Sequence, residues 1–372
     1  MTHYDRIHLA MRHQKPDRVP VMCQLSQGYM AINGGEKPFD MYFSAESAAR
    51  AFFRTREDLQ FDGILLNVAF EDDWKDLYDR VKVESTPRGE RYTFPDGRIY
   101  EDCNHQLTLV YNPEQKKAMP DIDDIEPDEV PLRLDYSSAM ALHKLAVAQG
   151  RRDNFSVHGE IVSPFDCLCV LLGLENAMMS LIIDGEKCEA ILVRYVEQCV
   201  AFAKAQIDVG VDTMKISSPF AGGSFISGEC YARFVMPYER AVVQRIHAMA
   251  PEMPVYTHTC GFIGDRLELM MESGIDGLEC MDPPPLGNTD LTDAKARVGG
   301  KLFLKGNMDS VNVLLQSTPE TIEPYVRDML RSGAPGGGYI LSSACSVAPD
   351  VDPAVLRRLV PLAEKYGRYD AE

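Results

Sequence analysis

Short runs of apolar and β-branched residues recur along the 372-residue chain, and polar or turn-forming residues bound each run. Eight of these runs have the length and composition of buried strands. They are Val19–Cys23, Ile64–Phe70, Phe155–Ile161, Met214–Ser217, Val255–Thr257, Gly277–Cys280, Leu302–Leu304 and Tyr339–Ser342. The hydrophobic pattern therefore predicts eight strands.

Segments with helical periodicity lie between these strands. In Cys188–Asp208, for example, Ile191 and Tyr195 begin a series at a spacing of four, which marks one face of a helix. A second helix is predicted over Pro319–Arg331, because an N-cap pattern of Ser and Thr precedes the proline. Strands that alternate with helices form parallel sheets, so eight such units predict an α/β protein with a (β/α)8 TIM barrel.

The connection between the second and third predicted strands is longer than one helix requires. Residues 72–135 include the pair Asp96-Gly97 between two apolar stretches, which is typical of a β-hairpin turn. We interpret this region as a decorated insertion rather than a second domain. Residues 1–372 are thus predicted to form a single barrel domain with an N-terminal extension and a β-hairpin insertion.

The charge of the chain argues against several classes of partner. The 38 Lys and Arg residues face 56 Asp and Glu residues, which gives a net charge of −18. Such a charge repels phosphate backbones, and no dense basic cluster reverses it, so nucleic-acid binding is not expected.

No run approaches the roughly 20 apolar residues that a membrane helix needs. The first residues are polar rather than a signal peptide, and a cytoplasmic location is expected.

Four side chains that can bind a metal ion lie where predicted strands end. His258 and Cys260 are two residues apart, so an extended chain places both on one face. Glu279 closes the sixth strand, and Cys345 follows the eighth. In a (β/α)8 barrel the C-terminal ends of the strands open onto one mouth, where the four side chains can meet. Two thiolates and an imidazole suit Zn²⁺ better than Mg²⁺ or Ca²⁺.

Alternatives to this zinc hypothesis stay open. The histidine and the two cysteines can also be buried core groups. Cys280, the neighbour of Glu279, is a rival for the fourth ligand position. The other cysteines on predicted helices lack the spacing of a metal site and are expected in the core, namely Cys167, Cys169, Cys188, Cys199 and Cys230.

The metal pattern is similar to that of a known family. His258-x-Cys260, followed 85 residues later by Cys345, resembles the zinc site of the uroporphyrinogen decarboxylase-like superfamily of methyltransferases. This superfamily includes corrinoid-protein:coenzyme M methyltransferases and O-demethylases. The resemblance covers most of the chain, and its other motifs are Pro16–Val21, Tyr231–Tyr238 and Lys305–Asp309.

The resemblance implies a (β/α)8 barrel whose zinc is held by His258, Cys260, Cys345 and an exchangeable acidic residue, which corresponds to Glu279. It implies a zinc-dependent methyltransferase that moves a methyl group between a small substrate, either a methoxy compound or a thiol, and a corrinoid protein. The corrinoid (cobalamin) is expected on a separate partner, because the chain lacks an Asp-x-His-x-x-Gly motif.

An ether substrate would also gain from a proton donor near its leaving oxygen. His158 and Glu160, in the third predicted strand, are the candidate catalytic residues for this step. The alternative interpretation is a hydrogen-bonded pair that holds the barrel mouth.

One departure from the family weakens a different assignment. Uroporphyrinogen decarboxylases carry an arginine-rich N-terminal segment that grips the carboxylates of the porphyrinogen, whereas Met22–Tyr29 contains no Arg. A uroporphyrinogen decarboxylase-type decarboxylase is therefore a weaker alternative, and a non-catalytic small-molecule-binding barrel is another. The methyl donor, the acceptor and the direction of transfer stay open, as does a homodimer.

Two loops beyond the predicted strands, Met281–Leu286 and Ser346–Pro349, are expected to contact the corrinoid protein. A corrinoid is too bulky to enter a closed barrel, so its carrier must dock over the mouth. Stiff prolines in both loops reduce the entropy that docking costs. The alternative is that these prolines only shape the rim.

Overall fold

The computed structural model describes residues 1–68, 77–87, 89–103, 105–113 and 119–369. Its strands are β1 (Gly63–Leu65), β2 (Lys82–Thr86), β3 (Gly89–Thr93), β4 (Ile99–Cys103), β5 (Gln106–Tyr111), β6 (Ser156–Val162), β7 (Thr213–Ser217), β8 (Val255–Thr259), β9 (Gly277–Cys280), β10 (Phe303–Met308) and β11 (Tyr339–Ser343).

The helices lie between and around these strands. They are α1 (His3–Met11), α2 (Gln27–Gly34), α3 (Pro38–Phe43), α4 (Ala45–Leu59), α5 (Ala141–Asp153), α6 (Pro164–Leu172), α7 (Leu174–Ile183), α8 (Gly185–Val209), α9 (Gly228–Phe234), α10 (Met236–Met249), α11 (Leu267–Glu272), α12 (Leu291–Arg297), α13 (Glu323–Gly333), α14 (Pro353–Leu356) and α15 (Leu359–Tyr366). Within the described ranges, no single helix is both long and apolar enough to cross a membrane.

Seven parallel strands form one sheet in the order β1-β6-β7-β8-β9-β10-β11. The gap between β11 and β1 is filled by the first predicted strand. Val21 forms a parallel bridge with Leu341 of β11, and its carbonyl accepts a hydrogen bond from the backbone N–H of Asp62 at 2.9 Å, next to β1. The (β/α)8 barrel predicted from the sequence is therefore confirmed. The second predicted strand ends at Leu65, and Phe70 lies outside the described residues.

The helix prediction is confirmed for α8 and wrong at one end for α13. The sequence predicts that the latter begins at Pro319, but the helix begins at Glu323, after turns over residues 319–321. Pro324 is the physical reason. A helix from residue 319 would hold this proline in its interior, where the ring clashes with the carbonyl of residue 320. In the observed helix the proline lies in the first turn, where its missing N–H has no cost.

The insertion contains the predicted hairpin and two more strands. β2, β3, β4 and β5 form an antiparallel four-stranded sheet in chain order. Gly97 lies in the turn between β3 and β4 with a φ of +89°, a conformation that glycine adopts without strain. Phe39 and Phe43 of α3 pack against Tyr92 and Phe94 and join the insertion to the rest of the chain. The prediction of a single domain over residues 1–372 stays a prediction.

The N-terminal extension closes one end of the barrel. α1 inserts apolar side chains among the inward-facing residues at the N-terminal ends of the strands. The cluster comprises Ile7, Ala10, Met11, Met22, Leu65, Tyr256, Phe303 and Ile340. Because this end is filled, the interior opens at the C-terminal ends of the strands.

Candidate metal centre

β8 carries the first two predicted ligands to the open end of the barrel. His258 is an inward-facing residue of this strand, and Cys260 follows the strand directly. The Nε2 atom of His258 lies 3.3 Å from the Sγ atom of Cys260. The loop beyond is fixed by Asp282, whose Oδ2 atom accepts a hydrogen bond from the backbone N–H of Gly261 at 2.7 Å.

Cys345, which follows β11, meets the same pair from the other side of the mouth. Its Sγ atom lies 3.8 Å from the Sγ atom of Cys260 and 4.0 Å from Nε2 of His258. Residues separated by 85 positions along the chain are therefore brought into one cluster, as the sequence analysis expected.

Cys280 adds a third sulfur to this cluster. The ligand atoms of His258, Cys260 and Cys280 all lie within 4.8 Å of one another. In a regular strand Glu279 and Cys280 would face opposite sides of the sheet. Cys280 instead has a φ of +77°, so the strand turns at its end and both side chains face the interior.

The spacing of the atoms of His258, Cys260 and Cys345 fits a tetrahedral ion. Zinc binds sulfur at about 2.3 Å and imidazole nitrogen at about 2.0–2.1 Å, so a tetrahedral site has sulfur–sulfur edges of about 3.8 Å and nitrogen–sulfur edges of about 3.6 Å. The observed sulfur–sulfur distance between Cys260 and Cys345 is 3.8 Å. The two nitrogen–sulfur distances from His258, 3.3 and 4.0 Å, bracket the ideal edge. The cluster therefore fits Zn²⁺ in both geometry and ligand type.

The cysteines of the cluster differ in protonation. Hydrogen bonds with Cys260 and Cys280 hold the pKa of the Cys345 thiol well below its ordinary value. Burial, followed by hydrogen bonds with Cys260 and Cys345, raises the pKa of Cys280 well above its ordinary value. The two shifts have opposite directions, so Cys345 loses its proton more readily than Cys280.

Glu279 lies on the far side of the imidazole from the sulfurs. Its Oε2 atom accepts a hydrogen bond from Nδ1 of His258 at 2.9 Å. Lys215 lies 3.3 Å from the same oxygen, and Lys305 forms an ion pair with the other oxygen. Burial acts to raise the pKa of Glu279, but the charges of Lys305 and Lys215 hold it well below its ordinary value. A carboxylate with these contacts orients the imidazole, and its role as a metal ligand stays a prediction.

The two candidate proton donors lie on β6 and have different surroundings. His158 is fully buried, and its Nδ1 atom lies 3.0 Å from the hydroxyl of Tyr256. Burial, with a further effect from the charge of Lys305, keeps the pKa of His158 well below its ordinary value, so the ring is neutral. The Oε1 atom of Glu160 lies 3.3 Å from Lys215, while Oε2 has no hydrogen-bond partner among the described residues.

The other helical cysteines are separate from this cluster. The structure places them on α6, α8 and α9, where Cys169, Cys188 and Cys199 are buried and Cys167 and Cys230 are half-buried.

The sequence analysis missed the two lysines that surround Glu279. Lys215 stands between Met214 and Ile216, and Lys305 follows Leu304. A lysine flanked by apolar residues in a buried strand must direct its side chain towards the barrel interior, because the flanking residues pack on the outer face. That signal was present in the sequence and indicates an ion-paired interior.

The sequence model of the uroporphyrinogen decarboxylase (URO-D) family matches residues 108–366, more than half of the chain. The chain belongs to the URO-D family. This membership confirms the resemblance that the motifs around His258, Cys260 and Cys345 suggested.

Individual relatives place this URO-D chain near methyltransferases. It is 24% identical over 373 residues to the methylcobamide:CoM methyltransferase MtbA of Methanosarcina mazei, a match that covers 98% of this chain and 99% of the relative. A uroporphyrinogen decarboxylase of Idiomarina loihiensis is 31% identical over 186 residues, which cover 50% of this chain and 49% of the relative. A solved structure described as a methyltransferase from Methanosarcina mazei superposes with a TM-score of 0.73 at 17% identity, over 98% of this chain and 99% of that one, and so shares the fold.

Proposed function

We propose that this URO-D chain is a zinc-dependent methyltransferase that moves a methyl group between a small substrate and a corrinoid carried by a partner protein. The substrate is a methoxy compound or a thiol. The full-length similarity to a methylcobamide:CoM methyltransferase supports the reaction class. The expected cytoplasmic location and the open question of a homodimer stay as the sequence analysis left them.

One observation carries the proposal. Nε2 of His258 and the sulfurs of Cys260 and Cys345 converge at the open end of the barrel with spacings close to those of a tetrahedral zinc site. The sulfur of Cys280 lies within 4.8 Å of the ligand atoms of His258 and Cys260. Active sites of (β/α)8 enzymes lie at this end, because loops from different strands meet there. A zinc at the mouth is therefore in a position to meet both a substrate and a large partner.

His258, Cys260 and Cys345 would hold the ion. Zinc supplies a Lewis acid that lowers the pKa of a thiol or withdraws electrons from an ether oxygen. The lowered pKa of Cys345 favours the thiolate form that binds zinc. Glu279 fixes the ring of His258 so that Nε2 faces the sulfurs.

Cys280 is the ligand that we propose substrate displaces, in place of Glu279. Its sulfur belongs to the cluster, and its pKa is raised, so it returns to a neutral thiol more readily than Cys345. A neutral thiol is a weaker zinc ligand than a thiolate. This arrangement leaves three firm protein ligands and one replaceable position, which is typical of catalytic zinc.

Glu160 is the better placed of the two proton donors. Its unpartnered Oε2 atom is free to hydrogen bond with a substrate, and its other oxygen is held by Lys215. His158 lies deeper, beside Tyr256 at the closed end of the barrel. The Glu160 carboxylate, paired with Lys215, would take up the proton that an incoming thiol loses. For an ether substrate it would first bind a proton from solvent and then deliver it to the leaving oxygen.

The experiment that tests the proposal is a turnover assay with a reduced corrinoid protein. The substrates are methoxyarenes, methylamines, methanol and methylated thiols, and the enzyme is used as isolated, stripped of metal and reloaded with zinc. We expect methylation of the corrinoid by a methoxy compound or a methylated thiol, its loss on stripping and its recovery with zinc. Release of carbon dioxide from a porphyrinogen would instead support the decarboxylase. Tight ligand binding without turnover would support the non-catalytic barrel.

A further inference from the structure

Lys215 is a buried charge with two carboxylate partners. It is fully buried at the centre of the barrel interior, and its Nζ atom lies 3.3 Å from Oε2 of Glu279 and 3.3 Å from Oε1 of Glu160. A buried ammonium group is costly unless charged partners and hydrogen bonds compensate it. The surrounding acceptors therefore fix its position.

One chain of contacts runs from Lys215 to the imidazole. The oxygen of Glu279 that lies near Lys215 is the same Oε2 that accepts the hydrogen bond from Nδ1 of His258. The position of this oxygen sets the direction of the ring and hence of Nε2. Lys305 holds the other oxygen of Glu279 and lies 3.3 Å from the hydroxyl of Ser342, so its contacts stay on this side.

A second chain of contacts runs from Lys215 to the opposite side of the cluster. Its Nζ atom donates a hydrogen bond to Oε1 of Gln24 at 2.8 Å. Nε2 of Gln24 donates in turn to the hydroxyl of Ser346 at 2.8 Å. Ser346 is the residue after Cys345, so this chain of contacts ends beside a cysteine of the metal cluster.

We propose that Lys215 is a positioning residue that joins the two sides of the metal centre, with Glu279 and His258 on one side and Gln24, Ser346 and Cys345 on the other. This inference rests on the proposed metal centre and concerns its geometry rather than its reaction. The ligands come from β8 and from the loop after β11, which are three strands apart around the sheet. A single ammonium group that reaches both sides keeps the nitrogen–sulfur spacing correct for the ion.

The test compares cobalt(II) and zinc binding to the native chain and to matched variants, by competition with a chelator and by the absorption spectrum of the cobalt form. Lys215→Met removes both chains of contacts. We expect zinc affinity to fall by about 10–100-fold, the usual effect of removing a group that orients a ligand. Lys215→Met with Glu160→Gln keeps the interior neutral. If Lys215→Met alone fails to fold, this double variant carries the test, with the same expected loss of affinity and with native circular dichroism.

Gln24→Leu removes only the second chain of contacts, which runs from Lys215 to Ser346. We expect a smaller loss of affinity than for Lys215→Met and a changed sulfur-to-cobalt band. When Lys215→Met and Gln24→Leu are combined, their losses of zinc affinity should not add, because Lys215→Met alone already removes the contact with Gln24. Lys295→Met is the control, since that half-buried lysine bonds the carbonyl of Gly337 far from the cluster, and it should bind zinc as the native chain does.

Native zinc affinity and a native cobalt spectrum in Lys215→Met with Glu160→Gln would overturn the inference. Strictly additive losses of affinity for Lys215→Met and Gln24→Leu would overturn it as well. A native chain that binds neither metal would overturn it as well. A native chain that binds zinc but transfers no methyl group would end the proposed function and leave this inference intact.

Discussion

The two ring nitrogens of His258 have separate tasks. Nδ1 donates to Glu279, an acceptor that Lys215 and Lys305 keep ionised, and this bond fixes the tautomer and the direction of the ring. Nε2 faces the sulfurs of Cys260 and Cys345. The chemistry of the site therefore depends on a buried ion-pair cluster that does not itself touch the metal.

Replacing His258 by Ala, or Cys260 or Cys345 by Ser, should lower zinc affinity by more than about 100-fold. Groups that merely orient a ligand already contribute about 10–100-fold, and a direct ligand contributes more. Zinc content after dialysis against a weak chelator measures the effect. Cys199→Ser is the control, because this thiol donates a hydrogen bond to the carbonyl of Val162 and does not belong to the metal cluster. Equal zinc content in all four variants would sink the assignment.

Cys280→Ser should keep zinc with a moderately lower affinity and remove one sulfur from the metal. The cobalt-substituted native protein is expected to show the strong sulfur-to-metal absorption of three thiolates, and the variant that of two. Glu279→Gln is the matched comparison and should keep all three sulfurs, because its carboxylate faces the other side of the ring. If the cobalt spectrum of the native protein showed only two thiolates, the fourth metal ligand would be Glu279 rather than Cys280.

At the scale of whole elements, one buried carboxylate joins the pieces that close the barrel. Asp62, just before β1, accepts hydrogen bonds from Arg6 of α1 at 2.6 Å and from Arg18 at 2.8 Å. It also accepts one from the backbone N–H of Val21 at 2.8 Å, in the short segment that completes the ring. These contacts hold α1 and the segment around Val21, which completes the barrel, against the sheet.

Asp62→Asn should lower the free energy of unfolding by about 3–5 kcal/mol at pH 7, because it leaves the buried charge of Arg18 without its carboxylate and removes one of the two carboxylates that contact Arg6. Urea unfolding followed by circular dichroism measures this difference. Asp58→Asn is the control. Its ion pair with Arg357 is exposed, so the expected loss is at most about 1 kcal/mol.

The same pair of proteins gives a pH prediction. Burial acts to raise the pKa of Asp62, but hydrogen bonds from His3 and the charges of Arg18 and Arg6 lower it from 3.8 to about 2. A carboxyl group with a lowered pKa stabilises the fold above its unfolded pKa and loses that effect as the pH falls through its folded pKa. The difference between native and Asp62→Asn should therefore be constant above about pH 5 and shrink from pH 4 towards pH 2. A difference that grows in acid would contradict the assignment.

Most of the barrel could be predicted because buried parallel strands appear in the sequence as runs of apolar residues. Even the short segment around Val21 is such a run. The start of α13 was missed because the N-cap pattern outweighed Pro324, whose steric effect reaches back four residues. The lysines of β7 and β10 were missed because a charge within a strand is usually taken for an exposed position. Cys280 could be named only as a rival, because its inward direction depends on a positive φ that the sequence does not specify.

At the scale of the molecule, the barrel should not need its metal to fold. The main apolar cluster extends through the strands and the surrounding helices, and it does not include His258, Cys260, Cys280 or Cys345. Removal of zinc by a chelator should therefore keep the far-ultraviolet circular dichroism and lower the Tm by several degrees, the effect of losing a ligand that binds only the native state. A small zinc finger behaves in the opposite way and unfolds without its ion. Loss of the helical signal on chelation would show a structural site.

The loop Met281–Leu286 should contribute to docking of the corrinoid protein. It begins beside the metal cluster, since Asp282 bonds the N–H of Gly261, and Leu286 is exposed. Leu286→Asp should raise the KM for the corrinoid protein by about tenfold, which corresponds to about 1.4 kcal/mol of lost contact free energy, and leave zinc content unchanged. Tyr325→Asp, an exposed change on α13, is the control. A parallel loss with free corrinoid would place the effect in the chemistry and contradict docking.

X-ray absorption at the zinc edge tests the central claim most directly, because it counts the atoms around the ion in the whole protein. The account predicts about one zinc per chain with one nitrogen at about 2.0–2.1 Å and three sulfurs at about 2.3 Å, and two sulfurs in Cys280→Ser. A zinc shell of oxygen and nitrogen alone, or a purified chain that binds no zinc, would contradict the account.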